Sequence, residues 1–170
     1  MIKGIRVGAR NSTTPDINVR EATDRDLRDM FRLERMCFDI EAFSVQQLRY
    51  LINTGTSIAL VAECDGQFAG FTIGLTNRNR SGKYGRVYTL DVDEVFRRRG
   101  VAQTLMDALM EGFEDTNCSR CFLEVKIDNE KAIALYEKME FEKLHPIFNY
   151  YAIGVHALKM RKTLHPRLSL

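Results

Sequence analysis

The chain has 170 residues, 45% of them hydrophobic, with 25 basic and 23 acidic side chains for a net charge of +2. That length suits one domain with a real core, and the near-balance of charge excludes a disordered chain and gives no reason for a general nucleic-acid coat. Four irregularly spaced cysteines do not make a secreted disulfide framework, and no window approaches a membrane span.

Met1 to Pro15 lacks periodicity and the apolar run of a signal peptide, so it reads as a flexible extension of a soluble, cytoplasmic protein. Ile17 to Arg20 alternates as a short strand. Thr23 or Asp24 then caps a helix carrying Leu27, Met30, Phe31, Leu33, Glu34 and Phe38. Asp39 to Phe43 interrupts it, and Ser44 caps a shorter helix through about Ile52 that ends at Thr54-Gly55.

Ser57 to Ala62 and Phe68 to Leu75 are strands joined by Asp65-Gly66, a strong hairpin signal. Asn77 to Gly85 reads as a polar loop, and Arg86 to Val92 as the next strand. Ala102, Leu105, Met106, Leu109 and Phe113 recur at helical spacing. Cys121 to Ile127 is a strand, Asn129 to Met139 an amphipathic helix, Phe141 to Leu144 a short strand and Tyr150 to Lys159 the last one. The order β-α-α-β-β-β-α-β-α-β-β implies an α/β fold with a mixed sheet, and the strand-helix-strand over 86–127 implies a right-handed crossover. One domain over 16–163, with a tail over 164–170, is expected.

Cationic charge is concentrated in Arg97-Arg98-Arg99-Gly100-Val101-Ala102, at the start of the helix beyond it. Arginines oppose the helix dipole there unless an external anion sits among the unpaired N–H groups. The segment therefore suggests a phosphate cradle, with Gly100 allowing close backbone approach. It is neither a Walker A loop nor GxGxxG, and an ordinary solvated basic loop fits this segment equally well. Cys118-Ser-Arg-Cys121 lacks a second ligand pair for zinc, and His145, His156 and His165 are scattered, so no metal is expected.

Three stretches together carry a family resemblance: "VYTLDVDEVFRRRGVAQTLM", "LEVKIDNEKAIALYEKMEF" and "NYYAIGVHALKM". They resemble the GNAT acetyltransferases, and within them the RimI-type N-terminal protein (alanine) acetyltransferases, over roughly residues 16–163. The resemblance implies the GNAT fold, a mixed and mostly antiparallel sheet of about seven strands with four helices and a central β-α-β cofactor unit. It implies acetyl-CoA as co-substrate. Arg97, Gly100 and Ala102 match the family's Q/R-x-x-G-x-G/A loop, in which Arg98, Arg99 and Val101 would share, and the backbone of Leu90, Asp91 and Val92 would pair with the pantetheine arm. It also implies Glu124 as general base, Asn129 as a partner of the cofactor arm and Tyr136 as general acid. Phe43, Tyr150 and Tyr151 would border a peptide slot.

Read without the resemblance, Glu124 is an ordinary strand residue, Asn129 a helix cap, Tyr136 part of a buried helix face, and the two tyrosines edge-strand packing. Three positions depart from the family pattern. Asp91 stands where a small residue is usual, and if it shares a cavity with Glu124, like charge would raise one of the two toward a working base. Glu140 replaces a glycine at a helix stop, and the loop from Asp39 to Ser44 lacks Pro-Trp. The function implied is acetylation of the α-amino group of a protein N-terminus, ribosomal or otherwise cytoplasmic. The rival readings are acetylation of a lysine or small amine, and a non-catalytic CoA-binding adaptor. A nucleic-acid module built on Arg78, Arg80, Lys83 and Arg86 lacks an aromatic platform.

Overall fold

The structure is a computed structural model that describes residues 15–38 and 42–167. Residues 1–14, 39–41 and 168–170, which hold most of the expected extension and parts of the interrupting loop and tail, lie outside the described residues. In chain order the elements are β1 (Ile17–Glu21), α1 (Leu27–Cys37), α2 (Val45–Asn53), β2 (Ser57–Cys64), β3 (Gln67–Asn79), β4 (Gly82–Val92), α3 (Val101–Asp115), β5 (Arg120–Lys126), α4 (Glu130–Lys138), β6 (Glu142–Ala152) and β7 (Val155–Thr163). Short 3₁₀ turns precede α1 at Asp24–Asp26 and α3 at Glu94–Phe96.

The seven strands form one sheet in the order β1-β2-β3-β4-β5-β7-β6. Only β4 and β5 run parallel; every other neighbouring pair is antiparallel. Successive side chains of a strand point to opposite faces, and the core obeys this rule. Val61 packs with Leu27, Met30, Leu33, Leu48 and Leu51 of α1 and α2, whereas its neighbour Ala62 packs with Val101 and Leu105 of α3. Helices α3 and α4 share the second face with Leu123, Val125 and Met160.

Local signals account for most element ends. Ser44 accepts from the Gln47 amide while the Gln47 side chain accepts from the Ser44 amide, a complete capping box on α2. Asp65 and Gly66 both have positive φ, 52° and 78°, as the tight turn between β2 and β3 requires. Helix α4 stops at Glu140 in the left-handed region (φ 66°), with the Glu140 amide on the Glu137 carbonyl and the Phe141 amide on the Tyr136 carbonyl. This double bond is a Schellman stop. Lys162 offsets the missing glycine, since its Nζ donates to the Met139 carbonyl at 2.7 Å and to Glu140 at 3.1 Å.

Two expected elements differ. The polar stretch 77–85 continues the β3–β4 ladder, with Asn77 opposite Tyr84 and Asn79 opposite Gly82. The expected strand 150–159 is instead a hairpin, because Gly154 turns the chain at φ 80° between β6 and β7. Residues 164–167 pack back on the domain: Leu164 is buried, and the His165 amide donates to Glu114 of α3.

Candidate active site

Strands β4 and β5 pair only through Gly85–Cys121 and Arg86–Phe122, then diverge. The cause lies in β4. Ile73 of β3 faces Thr89 while Gly74 faces Val87, so Tyr88 is an extra residue, and such a bulge adds local twist and reverses the facing of the residues beyond it. Val87 accordingly packs toward α3, whereas Thr89 and Asp91 turn toward α1. Beyond the bulge, Leu90, Asp91 and Val92 pair with Thr72, Phe71 and Gly70 on one edge and, among the described residues, have no strand on the other. A free strand edge is a template for an extended, amide-bearing ligand.

The wedge between the strands is a cavity of about 480 Å³ lined by Glu34, Cys37, Phe38 and Phe43 from the α1–α2 side, Arg86 to Leu90 of β4, Leu123 to Lys126 of β5, Asn129, Ala132 and Tyr136 of α4, and Tyr150 and Tyr151 of β6. Sequence-expected residues from four separate segments thus meet in one cavity.

At the N-terminus of α3, Gly100 is the capping residue at φ 90° and Arg98 stands at φ 62°. The first amide of this helix with a backbone partner is that of Thr104, on the Gly100 carbonyl, leaving those of Val101 to Gln103 as donors. A Cβ added to Gly100 would find its nearest neighbour, Ile17 Cδ1, at 4.0 Å, so the cradle is open. Arg97 is fixed by a bond from its Nε to the Val92 carbonyl at 3.3 Å, and the Arg99 guanidinium lies over the Phe96 ring. Unpaired amides, three exposed arginines and an open glycine make the donor set a pyrophosphate needs. The residues present fit coenzyme A.

Glu124 projects from β5 with 7% of its side chain exposed. Arg86 donates to its Oε2 at 3.0 Å, and Lys159, its cross-strand partner on β7, stands 3.6 Å from Oε1. The same Arg86 donates to the Tyr150 hydroxyl at 2.6 Å, and the Tyr151 hydroxyl donates to the Glu124 carbonyl. The tyrosines reach this far because β6 bulges between Ile147 and Ala152, a departure pinned by Asn149 through His156 Nδ1 and the Gly154 amide.

Tyr136 is the third residue from the α4 stop, and Phe141 packs on its ring at 5.8 Å. Burial pushes its phenol well above the ordinary tyrosine value, with Asp91 adding to the shift. Among the described residues its hydroxyl makes no hydrogen bond. Asn129 caps α4 through the Ala132 amide at 3.2 Å, so its plain structural role coexists with a place on the cavity wall.

Asp91 does not line the cavity beside Glu124. Its side chain, 1% exposed, points to α1, where the Thr89 hydroxyl lies 3.2 Å from both Asp91 Oδ1 and Glu34 Oε2. Burial first, and the Glu34 carboxyl second, push Asp91 well above the usual carboxylate range. Sequence reasoning placed Glu34 only in a helical pattern and missed Thr89 and Lys159 as site residues. An acidic residue on the apolar face of α1, seven positions after Leu27, was the available signal for Glu34.

Residues 25–141 match the family described as acetyltransferase (GNAT) family. The chain belongs to this family. GNAT members draw their acetyl group from acetyl-CoA, in agreement with the cradle and free strand edge. Among relatives, the chain is 28% identical over 120 residues to N-alpha-acetyltransferase 30 of Dictyostelium discoideum, covering 71% of this chain and 65% of that protein. It is 42% identical over 81 residues to an N-alpha-acetyltransferase of Saccharolobus solfataricus, covering 47% and 48%. The match thus spans between about half and two thirds of the length of these curated relatives. The ribosomal-protein-S18-alanine N-acetyltransferase of Escherichia coli superposes with a TM-score of 0.76 at 20% identity, over 91% of this chain and 97% of that one, so the RimI-type likeness holds for the fold. No helix among the described residues is long and apolar enough to cross a membrane.

Proposed function

We propose that the protein is an acetyl-CoA-dependent N-acetyltransferase that modifies the α-amino group of a protein N-terminus, in the cytoplasm, ribosomal proteins being among the candidates. One observation carries the reading: a single cavity is lined both by Leu90, at the unpaired edge of β4, and by Phe43, Tyr150 and Tyr151. A wall carrying three aromatic rings suits an extended peptide end. The names of the GNAT relatives support the same substrate class.

Bound acetyl-CoA would supply an acetyl thioester whose sulfur leaves as a thiolate, held by the Arg97–Ala102 cradle, the edge of Leu90 to Val92 and Asn129. The chain's own residues supply orientation and proton transfer. Glu124 takes a proton from the arriving ammonium, and Tyr136 carries at its Oη the proton that the departing sulfur needs. Arg86 and Lys159 fix the Glu124 carboxylate in one orientation; to accept a proton it must give up one of these contacts. Glu124→Gln keeps the shape but removes the acceptor. Turnover is expected to fall about 10²-fold or more with acetyl-CoA affinity unchanged, and undiminished turnover would place the base elsewhere.

A peptide panel tests the function. Peptides with varied first residues and free N-termini are incubated with the purified full chain and acetyl-CoA, beside blocked-N-terminus peptides carrying lysine and a set of small amines. Acetylation at the free α-amine alone supports the reading. Modification of lysine or small amines with the α-amine untouched overturns it.

A further inference from the structure

On the α1 wall of the cavity that Glu124 also lines stands a second carboxyl system. Glu34 is 1% exposed yet lines the cavity; its Oε1 accepts from the Phe43 amide at 3.1 Å and its Oε2 lies 3.2 Å from Thr89 Oγ1. Asp91 Oδ1 lies at the same distance from that same hydroxyl, and its buried Oδ2 has no hydrogen-bond partner among the described residues.

A hydroxyl has one hydrogen to donate. Either the Thr89 hydrogen is shared weakly between two carboxylates, or one carboxyl is protonated and donates in turn to Oγ1. Burial favours the second arrangement, in which the pair holds one extra proton, because an ionised Asp91 with an unpartnered Oδ2 at this depth would be strongly disfavoured. Among the described residues, no cation pairs with either carboxyl. Cys37 of α1 is a thiol pushed up to about 11 by burial and by Asp91. Tyr136 of α4 is a neutral phenol, and Arg97 reaches Cys37 and the Val92 carbonyl.

The chemistry of the site gives such a pair a task. An ammonium that becomes an amide loses two protons from nitrogen; the leaving sulfur takes its proton from Tyr136, one of the two nitrogen protons restores that phenol, and the other goes to solvent. Glu124 accounts for one acceptor. We propose that Glu34, backed by Asp91 through the Thr89 hydroxyl, is the second proton acceptor of the acetyl transfer, with Glu34 facing the substrate nitrogen and Asp91 acting as its positioning and tuning residue. This rests on the acetyl-transfer reading above and adds a residue to it. Asp91 departs from the small residue usual in the resembled family, so the tuning belongs to this chain rather than to the fold.

The pair accepts a proton best after releasing the one it shares, so the rate rises with pH through that release. Removing one carboxyl makes the remaining one easier to ionise. In Asp91→Asn the acidic limb of kcat/KM is expected to move to lower pH. Glu34→Gln keeps an acceptor for the Phe43 amide and a partner for Thr89, and is expected to lower kcat at least about tenfold at unchanged acetyl-CoA affinity. Kinetics would use the best free-N-terminus peptide of the panel.

Thermal melting across pH supplies a readout independent of activity. Folded Asp91 keeps a proton that the unfolded chain releases above the ordinary aspartate range, so wild-type stability falls as pH rises from there toward the raised value. Asp91→Asn lacks that loss, and its melting temperature should gain on the wild type as pH rises. A wild-type kcat in folded Glu34→Gln, or an unmoved acidic limb in Asp91→Asn, overturns the proposal. If no panel peptide is acetylated, the N-terminal substrate reading fails while the melting curves still decide the proton-sharing pair: parallel curves for wild type and Asp91→Asn overturn it, and diverging ones support it.

Discussion

Gly100→Glu is expected to abolish detectable acetyl-CoA binding while leaving the domain folded. The position has φ 90°, which a residue with a Cβ adopts at a cost of about 1–2 kcal/mol, a loss that a domain of ordinary stability survives. Sterically the site is open, with nothing nearer than Ile17 Cδ1 at 4.0 Å from an added Cβ. The damage is therefore electrostatic and local. A carboxylate lands among the free amides of α3 and the arginines at 97–99, pairing with them internally and repelling the phosphates. Gly100→Ala separates the two effects, since it carries the same backbone strain without the anion and should weaken binding far less. Calorimetric titration with coenzyme A, paired with thermal melts, reads both variants. Wild-type affinity in folded Gly100→Glu would remove the phosphate-cradle assignment.

The loop at the start of α3 was legible because it is local: three arginines, a glycine and a helical pattern are contiguous in sequence, and so were the caps and the Asp65-Gly66 turn. The order and number of strands and helices came from periodicity for the same reason. The features that escaped were consequences of register. The bulge at Tyr88 has no side-chain signature, yet it turns Asp91 toward Glu34 and opens the wedge from Glu124. Lys159 joins the site because antiparallel pairing of β5 with β7 puts it opposite Glu124, and no spacing in the chain announces that. The polar residues 77–85 read as a loop because this end of the β3–β4 hairpin carries little apolar material, although its backbone ladder is intact. Gly154, at φ 80°, is where β-prone residues on both sides are divided into two strands.

Tyr136→Phe should lower kcat by roughly 10²–10⁴-fold, the usual worth of a positioned proton transfer, while acetyl-CoA affinity and stability barely change. The structure makes this substitution unusually clean. The ring is held from both sides of the chain's turn, packed on Phe141 at 5.8 Å and set by the Schellman stop that begins at its own carbonyl. Its hydroxyl has no partner among the described residues, so phenylalanine removes one group and orphans none. Burial pushes the phenol above its ordinary value, which keeps the proton on oxygen throughout the working range. Loss of activity at alkaline pH should thus not be assigned to Tyr136 ionising. The same dry surroundings raise the proton affinity of a thiolate formed beside it, so a weak acid suffices as donor. Steady-state kinetics with separately measured cofactor affinity decides the matter. Turnover equal to wild type in the folded variant would reduce Tyr136 to a packing residue and leave solvent to protonate the sulfur, whereas a fall in kcat with KM and affinity intact assigns the proton to its hydroxyl.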